Sequence, residues 1–315
     1  MSFSSGVKDE LCRVNLRHSH CEKAQLCGII YSAGTISFTR RGFSLSIVTE
    51  HKQTALLALG LFKKVFSIDC SFSEVLRQPK NTVAYQVRAE GIFMDTLNAA
   101  GLLLDGGIRL EKEVFFKIIE KDCCKAAFMR GAFLGSGSIT DPNSAYHTEF
   151  VMHSEELAEA LLSVLMDKNI IPGISIKKNA TVVYIKDLEK IIQFFGLAGA
   201  AGTVLELENI RIMKSIRNDI NRQTNFDNAN IDKTINAAQE QLASIRKIAE
   251  TMGLDKLSRG LREAAELRLE NPEATLTELA EMAGNTTRSG MNHRLRRLNI
   301  IAQSLPETKG GNHDL

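Results

Sequence analysis

Apolar residues recur along the first two hundred positions as two sets in the same order. The first set opens with helix-spaced apolar residues over about 22–33, closed by Gly34. In Gly42–Val48, Phe43, Leu45 and Ile47 alternate onto one face of a strand. An apolar helix from His51 to about Phe66, a strand Thr82–Arg88 and a helix from about Met94 to Leu103 follow. The second set has a helix over about Cys124–Ser136 closed by Gly137, a strand Tyr146–Met152 and a helix over about Glu155–Lys168. Strands Ile174–Lys177 and Thr181–Ile185 and a helix over about Leu188–Phe195 complete it. Gly34 and Gly137 are 103 residues apart, as are Ala55 and Ala158; Thr82 and Thr181 are 99 apart. Nearly constant spacing marks an internal repeat, and the expectation is one pseudo-twofold α+β domain.

The pattern then turns helical. Ile212, Met213, Ile216 and Ile220 predict a connecting helix, with an Asn-rich loop at 221–230 as a linker. Ile231, Ile235, Ala238, Leu242, Ile245 and Ala249 form one apolar stripe, stopped at Gly253. A helix over about Ser258–Leu269 is broken at Asn271-Pro272. Thr275-Leu-Thr-Glu278 is a capping box opening a short helix. Gly284-Asn285 makes a turn, and the next helix runs from near Thr287 to about Leu298. A short helix, a glycine turn and a basic helix predict a helix-turn-helix whose last helix reads DNA. Its apolar face is Met291, Leu295 and Leu298; the opposite face carries Ser289, Asn292, His293 and Arg296, with Arg297 beside it. Arg pairs bidentately with guanine and Asn with adenine, which makes that face the candidate for base contacts. Arg288 and Arg297 are the candidates for phosphate contacts.

Charge sharpens this picture. The 315 residues hold 39 basic and 37 acidic side chains, a net +2 that neither indicates nor excludes a polyanionic partner. Residues 284–305, however, hold four Arg and no acid. The six cysteines form no Cys-x-x-Cys pair, so zinc-ribbon and redox motifs lack their ligands and free thiols are expected. His18, His20 and Cys21 form a tight cluster, placed in a polar connector with no partner pair elsewhere in the sequence, and no metal is assigned to it. No secretory leader and no membrane span are expected.

Two glycine-bearing helices carry the most specific chemistry: Leu26-Cys-Gly-Ile-Ile-Tyr-Ser-Ala-Gly34 and Met129-Arg-Gly-Ala-Phe-Leu-Gly-Ser-Gly137. Gly28 and Gly131 let two helices approach closely. The second run lacks the Gly-Lys-Ser/Thr ending of a P-loop, and its glycines end a helix instead of opening one. The pair resembles the LAGLIDADG helices of homing endonucleases. In that family the penultimate residue of each motif is a carboxylate that binds Mg²⁺. Here those positions are Ala33 and Ser136, so hard-cation binding loses its basis and nuclease chemistry is expected to be absent. The competing reading is a nuclease with acids borrowed from Asp141 or Glu149.

Two degenerate LAGLIDADG units followed by a helix-turn-helix resemble the WhiA family of bacterial transcriptional regulators. Ser4–Leu11, Arg262–Pro272 and Ser289–Asn299 carry that resemblance. Phe226 stands where the family often has Cys, so a linker role tied to that thiol is not implied here. The resemblance implies a sequence-specific DNA-binding regulator without nuclease activity or cofactor. It further implies a role in cell division, chromosome segregation or sporulation, and a cytoplasmic, nucleoid-associated location. Double-stranded DNA is the expected partner. Another transcription or cell-division protein as main partner, with DNA contact secondary, is the alternative. The expected organisation is a LAGLIDADG-like domain at 1–205, with repeats at about 1–105 and 106–205. A linker at 206–230, an all-α helix-turn-helix domain at 231–305 and a flexible tail at 306–315 follow. Arg40-Arg41 and Lys177-Lys178 are expected exposed basic spots on the N-terminal domain.

Overall fold

A computed structural model describes residues 2–39, 42–77, 81–92, 94–104, 108–177 and 180–306. Arg40, Arg41, Lys178 and all of the expected tail but Pro306 lie outside the described residues; Lys177 is exposed. The contacts divide the chain into two units, Met1–Lys214 and Ser215–Leu315.

The first repeat comprises α1 (Phe3–Cys12), α2 (Ser19–Ala33), β1 (Gly34–Thr39), β2 (Gly42–Thr49), α3 (Lys52–Phe66), β3 (Ser71–Arg77), β4 (Thr82–Ile92) and α4 (Met94–Ala99). A hairpin of β5 (Leu102–Leu104) and β6 (Ile108–Leu110) and a helix α5 (Lys112–Ile118) lead to the second. That repeat comprises α6 (Asp122–Ser136), β7 (Gly137–Ile139), β8 (Thr148–Met152), α7 (Glu155–Asp167), β9 (Gly173–Lys177), β10 (Ala180–Ile185) and α8 (Leu188–Ala198). The helical remainder is α9 (Ala201–Thr251), α10 (Arg259–Glu270), α11 (Leu276–Ala283) and α12 (Arg288–Ser304).

The repeat is visible in the hydrogen-bond register. The two antiparallel sheets have the same order, β1-β2-β4-β3 and β7-β8-β10-β9. Gly34 pairs with Ile47 and Gly137 with Phe150, so both partners keep the 103-residue offset. The third strand shifts it. Val87 pairs with Ile47 and Val183 with Phe150, an offset of 96. Thr181 therefore corresponds to Tyr85, not to Thr82, because the second repeat shortens the outer hairpin.

Helices α2 and α6 form the axis of this unit, and glycine makes their approach possible. A Cβ at Gly28 would strike the Phe128 carbonyl and the Ala132 amide; one at Gly131 would strike the Gln25 carbonyl. Around them lies one core shared by both repeats, including Leu26, Ile29, Phe128, Phe133, Phe150, Phe194 and Phe195. Phe133 meets Phe195 edge-on, with ring centroids 5.1 Å apart. Arg130 is buried here, its Nε donating to the Ala198 carbonyl at 2.6 Å and its Nη1 to Gln25 Oε1 at 2.9 Å.

Several expectations are corrected. His18 to Cys21 is not a polar connector: His18 occupies the N-cap position of α2, without a side-chain capping bond, and the other three form its first turn. The helix begun at Met94 stops at Ala99, because Gly101 adopts φ +73° and turns the chain into β5. The Asn-rich 221–230 loop, and with it the whole 206–230 linker, is helical within α9. Asn costs only tenths of a kcal/mol in a helix, and no Gly or Pro occurs between Gly202 and Gly253. Glu10 fixes where that helix begins, accepting bonds from the amides of Gly202 and Thr203 at 2.7 and 2.9 Å. The apolar stripe of α9 is only partly used. Ile231 and Ile235 are exposed, Ile245 is buried as expected, and Gln241 and Ile248 are buried where Ala249 is not. α12 runs six residues beyond its expected end at Leu298, burying Ala302.

Candidate nucleic-acid interface

In the second unit, each helix end is set by a local side-chain bond. Thr275 Oγ1 accepts from the Glu278 amide at 3.3 Å, and the Glu278 carboxylate accepts from the Thr275 amide at 2.7 Å. The Thr275 amide and hydroxyl, both on that carboxylate, lower its pKa from the ordinary value. α11 ends at Gly284, whose φ of +67° closes the turn. Thr287 caps α12 by accepting from the Gly290 amide at 3.2 Å. Met291, Leu295, Leu298 and Ala302 seat α12 on a core with Ala264, Ala265, Leu279 and Ala280. Arg268 is buried behind them, with Nε on Gln241 Oε1 at 3.1 Å and Nη1 on the Ala274 carbonyl at 2.6 Å.

The other side of α12 faces outward. Ser289, His293 and Arg296 are exposed in one row, continued by exposed Ile300. Arg288 is exposed on one flank beside half-buried Asn292, and Arg297 is exposed on the other. The structure thus brings all six expected residues to one helix. Among the described residues, no acid pairs with Arg288, Arg296 or Arg297. His293 and Arg297 also line a groove of about 600 Å³ with Lys256 and Ser258. The fourth arginine differs. Arg294 Nη1 contacts Glu263 Oε2 at 3.2 Å and Nη2 donates to Asn285 Oδ1 at 3.3 Å, tying α12 to α10 and to the turn. It is a structural residue, and its charge is met by an acid outside the 284–305 window.

The first unit carries the two positions at which the LAGLIDADG resemblance would place acids. Ala33 and Ser136 end α2 and α6 side by side at a cavity of about 920 Å³. Ser136 donates to Met152 Sδ at 3.7 Å. Lys8 enters this cavity from α1 and donates to the Leu134 carbonyl at 3.3 Å. Burial lowers its pKa from an ordinary 10.5 to about 8. Glu149 lines the same cavity, engaged with His147 Nε2 at 3.4 Å. Asp141, the other acid considered, accepts from the Asn143 amide at 2.8 Å and is not among the lining residues.

The comparisons agree with this division. The WhiA N-terminal LAGLIDADG-like domain matches residues 19–103, the WhiA LAGLIDADG-like domain 125–217 and the WhiA C-terminal HTH domain 220–302. The chain belongs to the WhiA family. It is 37% identical over 310 residues to "Probable cell division protein WhiA" of Desulfitobacterium hafniense (strain DSM 10664 / DCB-2), covering 98% of this chain and 97% of that one. It is 39% identical over 313 residues to the protein of the same name from Clostridium botulinum (strain Eklund 17B / Type B), covering 97% and 99%. The crystal structure of full-length WhiA from Thermatoga maritima superposes with a TM-score of 0.60 at 27% identity, covering 98% of this chain and all of that one. Ala33 and Ser136 fall in the two WhiA LAGLIDADG-like regions, and all six outward residues of α12 fall in the WhiA HTH region. No helix among the described residues is long and apolar enough to cross a membrane.

Sequence reasoning missed Lys8, Arg268 and Arg294 as organising residues. Each acts through a tertiary bond that no local pattern announces.

Proposed function

We propose that this chain is a sequence-specific DNA-binding transcriptional regulator without nuclease activity, acting in cell division, chromosome segregation or sporulation. The observation that carries the reading is the row Ser289, His293 and Arg296, flanked by Arg288, Asn292 and Arg297, on the second helix of a helix-turn-helix. Its arginines are exposed and have no acidic partner among the described residues. Arg296, Asn292, His293 and Ser289 read base edges; Arg288 and Arg297 hold phosphates. The names of the curated relatives support the link to cell division.

Two features of the first unit support the absence of cleavage. Ala33 and Ser136 supply no anionic oxygen for Mg²⁺. Lys8, protonated for the most part at neutral pH, places an ammonium at the same cavity, where it repels a divalent cation. The chain is expected to act in the cytoplasm at the nucleoid. The binding test is genome-wide occupancy and promoter binding by the wild type and by Arg296→Ala. A loss of roughly 1–3 kcal/mol of specific affinity is expected, with non-specific binding kept. Unchanged promoter affinity removes the groove assignment and favours a protein-recruited factor, which a pull-down resistant to nuclease then identifies. Supercoiled DNA left intact by pure protein with Mg²⁺ or Mn²⁺ checks the second half of the reading.

A further inference from the structure

At the opposite end of the α2–α6 pair, away from Ala33 and Ser136, four metal-ligating side chains converge. His20 and Cys21 lie in the first turn of α2, and Cys123 and Cys124 in the first turn of α6. One ligand atom from each lies within 4.8 Å of all the others. His20 Nδ1 is 3.1 Å from Cys124 Sγ and 3.3 Å from Cys21 Sγ. All four belong to the first unit, and the three thiols are free.

We propose that His20, Cys21, Cys123 and Cys124 form a tetrahedral Cys₃His site for a thiophilic divalent cation of the zinc class. Bond lengths of about 2.3 Å to sulfur and about 2.0–2.1 Å to nitrogen put ligand atoms roughly 3.5–3.8 Å apart at the edges of a tetrahedron. Separations between 3.1 and 4.8 Å bracket that value, so small rotamer changes close the shell. Three sulfurs and an imidazole select zinc-like ions over Mg²⁺ and Ca²⁺, which take oxygen ligands.

The repeat gives the arrangement its logic. The 103-residue offset that relates Gly34 to Gly137 also carries His20 onto Cys123 and Cys21 onto Cys124. The ligands are therefore two equivalent pairs, one from each repeat, meeting across the pseudo-twofold axis. Both pairs sit in the first turns of their helices; burial raises the Cys21 and Cys124 thiols in the metal-free chain, so the ion must displace their protons. Cys21 and Cys124 are buried, Cys123 closes the shell from the solvent side, and the His18 ring stacks on His20 with centroids 5.0 Å apart. The nearby carboxylate of Asp122 is engaged by Lys125 and Lys168, which leaves it out of the set. On binding, the thiols release their protons to solvent and no electron moves. The ion would cross-link the two repeats, a structural role with no open coordination position.

The test is titration of the full reduced chain with Co²⁺ and then Zn²⁺. One Co²⁺ per chain is expected, with thiolate-to-metal charge-transfer absorption and the intense visible bands of tetrahedral cobalt, all bleached by Zn²⁺. The melting temperature should rise with metal. Cys124→Ser and Cys21→Ser should lose the bands, whereas Cys70→Ser, outside the cluster, should keep them. Because the buried variants are open to folding defects, His20→Ala and Cys123→Ala serve as the half-buried and exposed checks. With circular dichroism unchanged, they should weaken binding at least tenfold. The proposal is overturned by a folded wild type without these bands or by bands that persist in Cys123→Ala and His20→Ala. It is also overturned if the reduced chain ignores metal and mild oxidation simply joins Cys21 to Cys124 or Cys123.

Discussion

The helix pair α2–α6 and the helix pair α11–α12 treat positive charge in opposite ways. Around the first, buried Arg130 of α6 and half-buried Lys8 of the adjoining α1 are bonded within the fold. Arg130 binds the Ala198 carbonyl and Gln25, and Lys8 binds the Leu134 carbonyl. In the second, Arg288, Arg296 and Arg297 stand exposed without an acidic partner among the described residues, while Arg294 alone is tied to Glu263. Guanidinium groups that organise the fold are satisfied within it, whereas these three are left to water, as the proposed contact with a polyanion requires. At the end of the first pair, Ala33 and Ser136 stand where a LAGLIDADG nuclease would carry acids, and Lys8 lines the same cavity.

The strongest way to break the comparison is to force the inward pair apart. Gly131→Val places a branched side chain against the Gln25 carbonyl, where even a Cβ does not fit. Overpacking of backbone against backbone has no rotamer to absorb it, so a loss of about 3 kcal/mol or more is expected. Chemical denaturation checks this, and wild-type stability would show that the helices can separate without cost.

Lys8 gives the next largest effect, with a defined pH signature. Its folded pKa of about 8 lies below the ordinary 10.5, so the native state binds fewer protons than the unfolded state between those values. Its penalty is full below about pH 8 and is relieved as pH rises toward 10.5. Lys8→Met should therefore be more stable than the wild type at pH 7, by on the order of 1–3 kcal/mol, and the gap should close between pH 8 and 10.5. Melting curves of both proteins across that range decide it. A gap that widens with pH would contradict the burial of a charged Lys8.

How much of this was legible in the sequence depends on whether the signal was local. Gly28, Gly34, Gly131 and Gly137 announced the helix pair, because close approach and helix termination both demand glycine. Thr275 and Glu278 announced α11 through a bond three residues long. By contrast, β3 at Ser71–Arg77 is an edge strand with five of its seven residues exposed, so no alternation marked it. The Asn-rich stretch has the composition of a loop, yet no Gly or Pro interrupts it and it is helical within α9. The Cys–His cluster was legible in principle. The 103-residue offset takes Cys21 to Cys124, whereas spacing within one segment shows no ligand pair. Lys8 left no trace, since nothing near residue 8 in sequence tells which cavity it enters.

The two remaining predictions divide the arginines of α12. Arg294→Gln removes the guanidinium that joins Glu263 and Asn285, and its partly exposed setting limits the loss to about 1 kcal/mol of stability. Any fall in DNA binding should then track unfolding and vanish when the measurement is made well below the melting transition.

Arg296→Ala is the smallest change for the fold and the sharpest for the comparison. The side chain has no partner among the described residues and rests on an exposed face opposite Met291, Leu295 and Leu298. Alanine is also the better helix former, so stability should stay within about 0.5 kcal/mol of the wild type. With no internal partner among the described residues and no contribution to folding, Arg296 is available for the external partner that the proposed function gives it. If Arg296→Ala instead melts several degrees lower, the residue belongs with Arg294 as part of the scaffold. The surface available to DNA would then shrink to Arg288, Arg297 and the polar side chains between them.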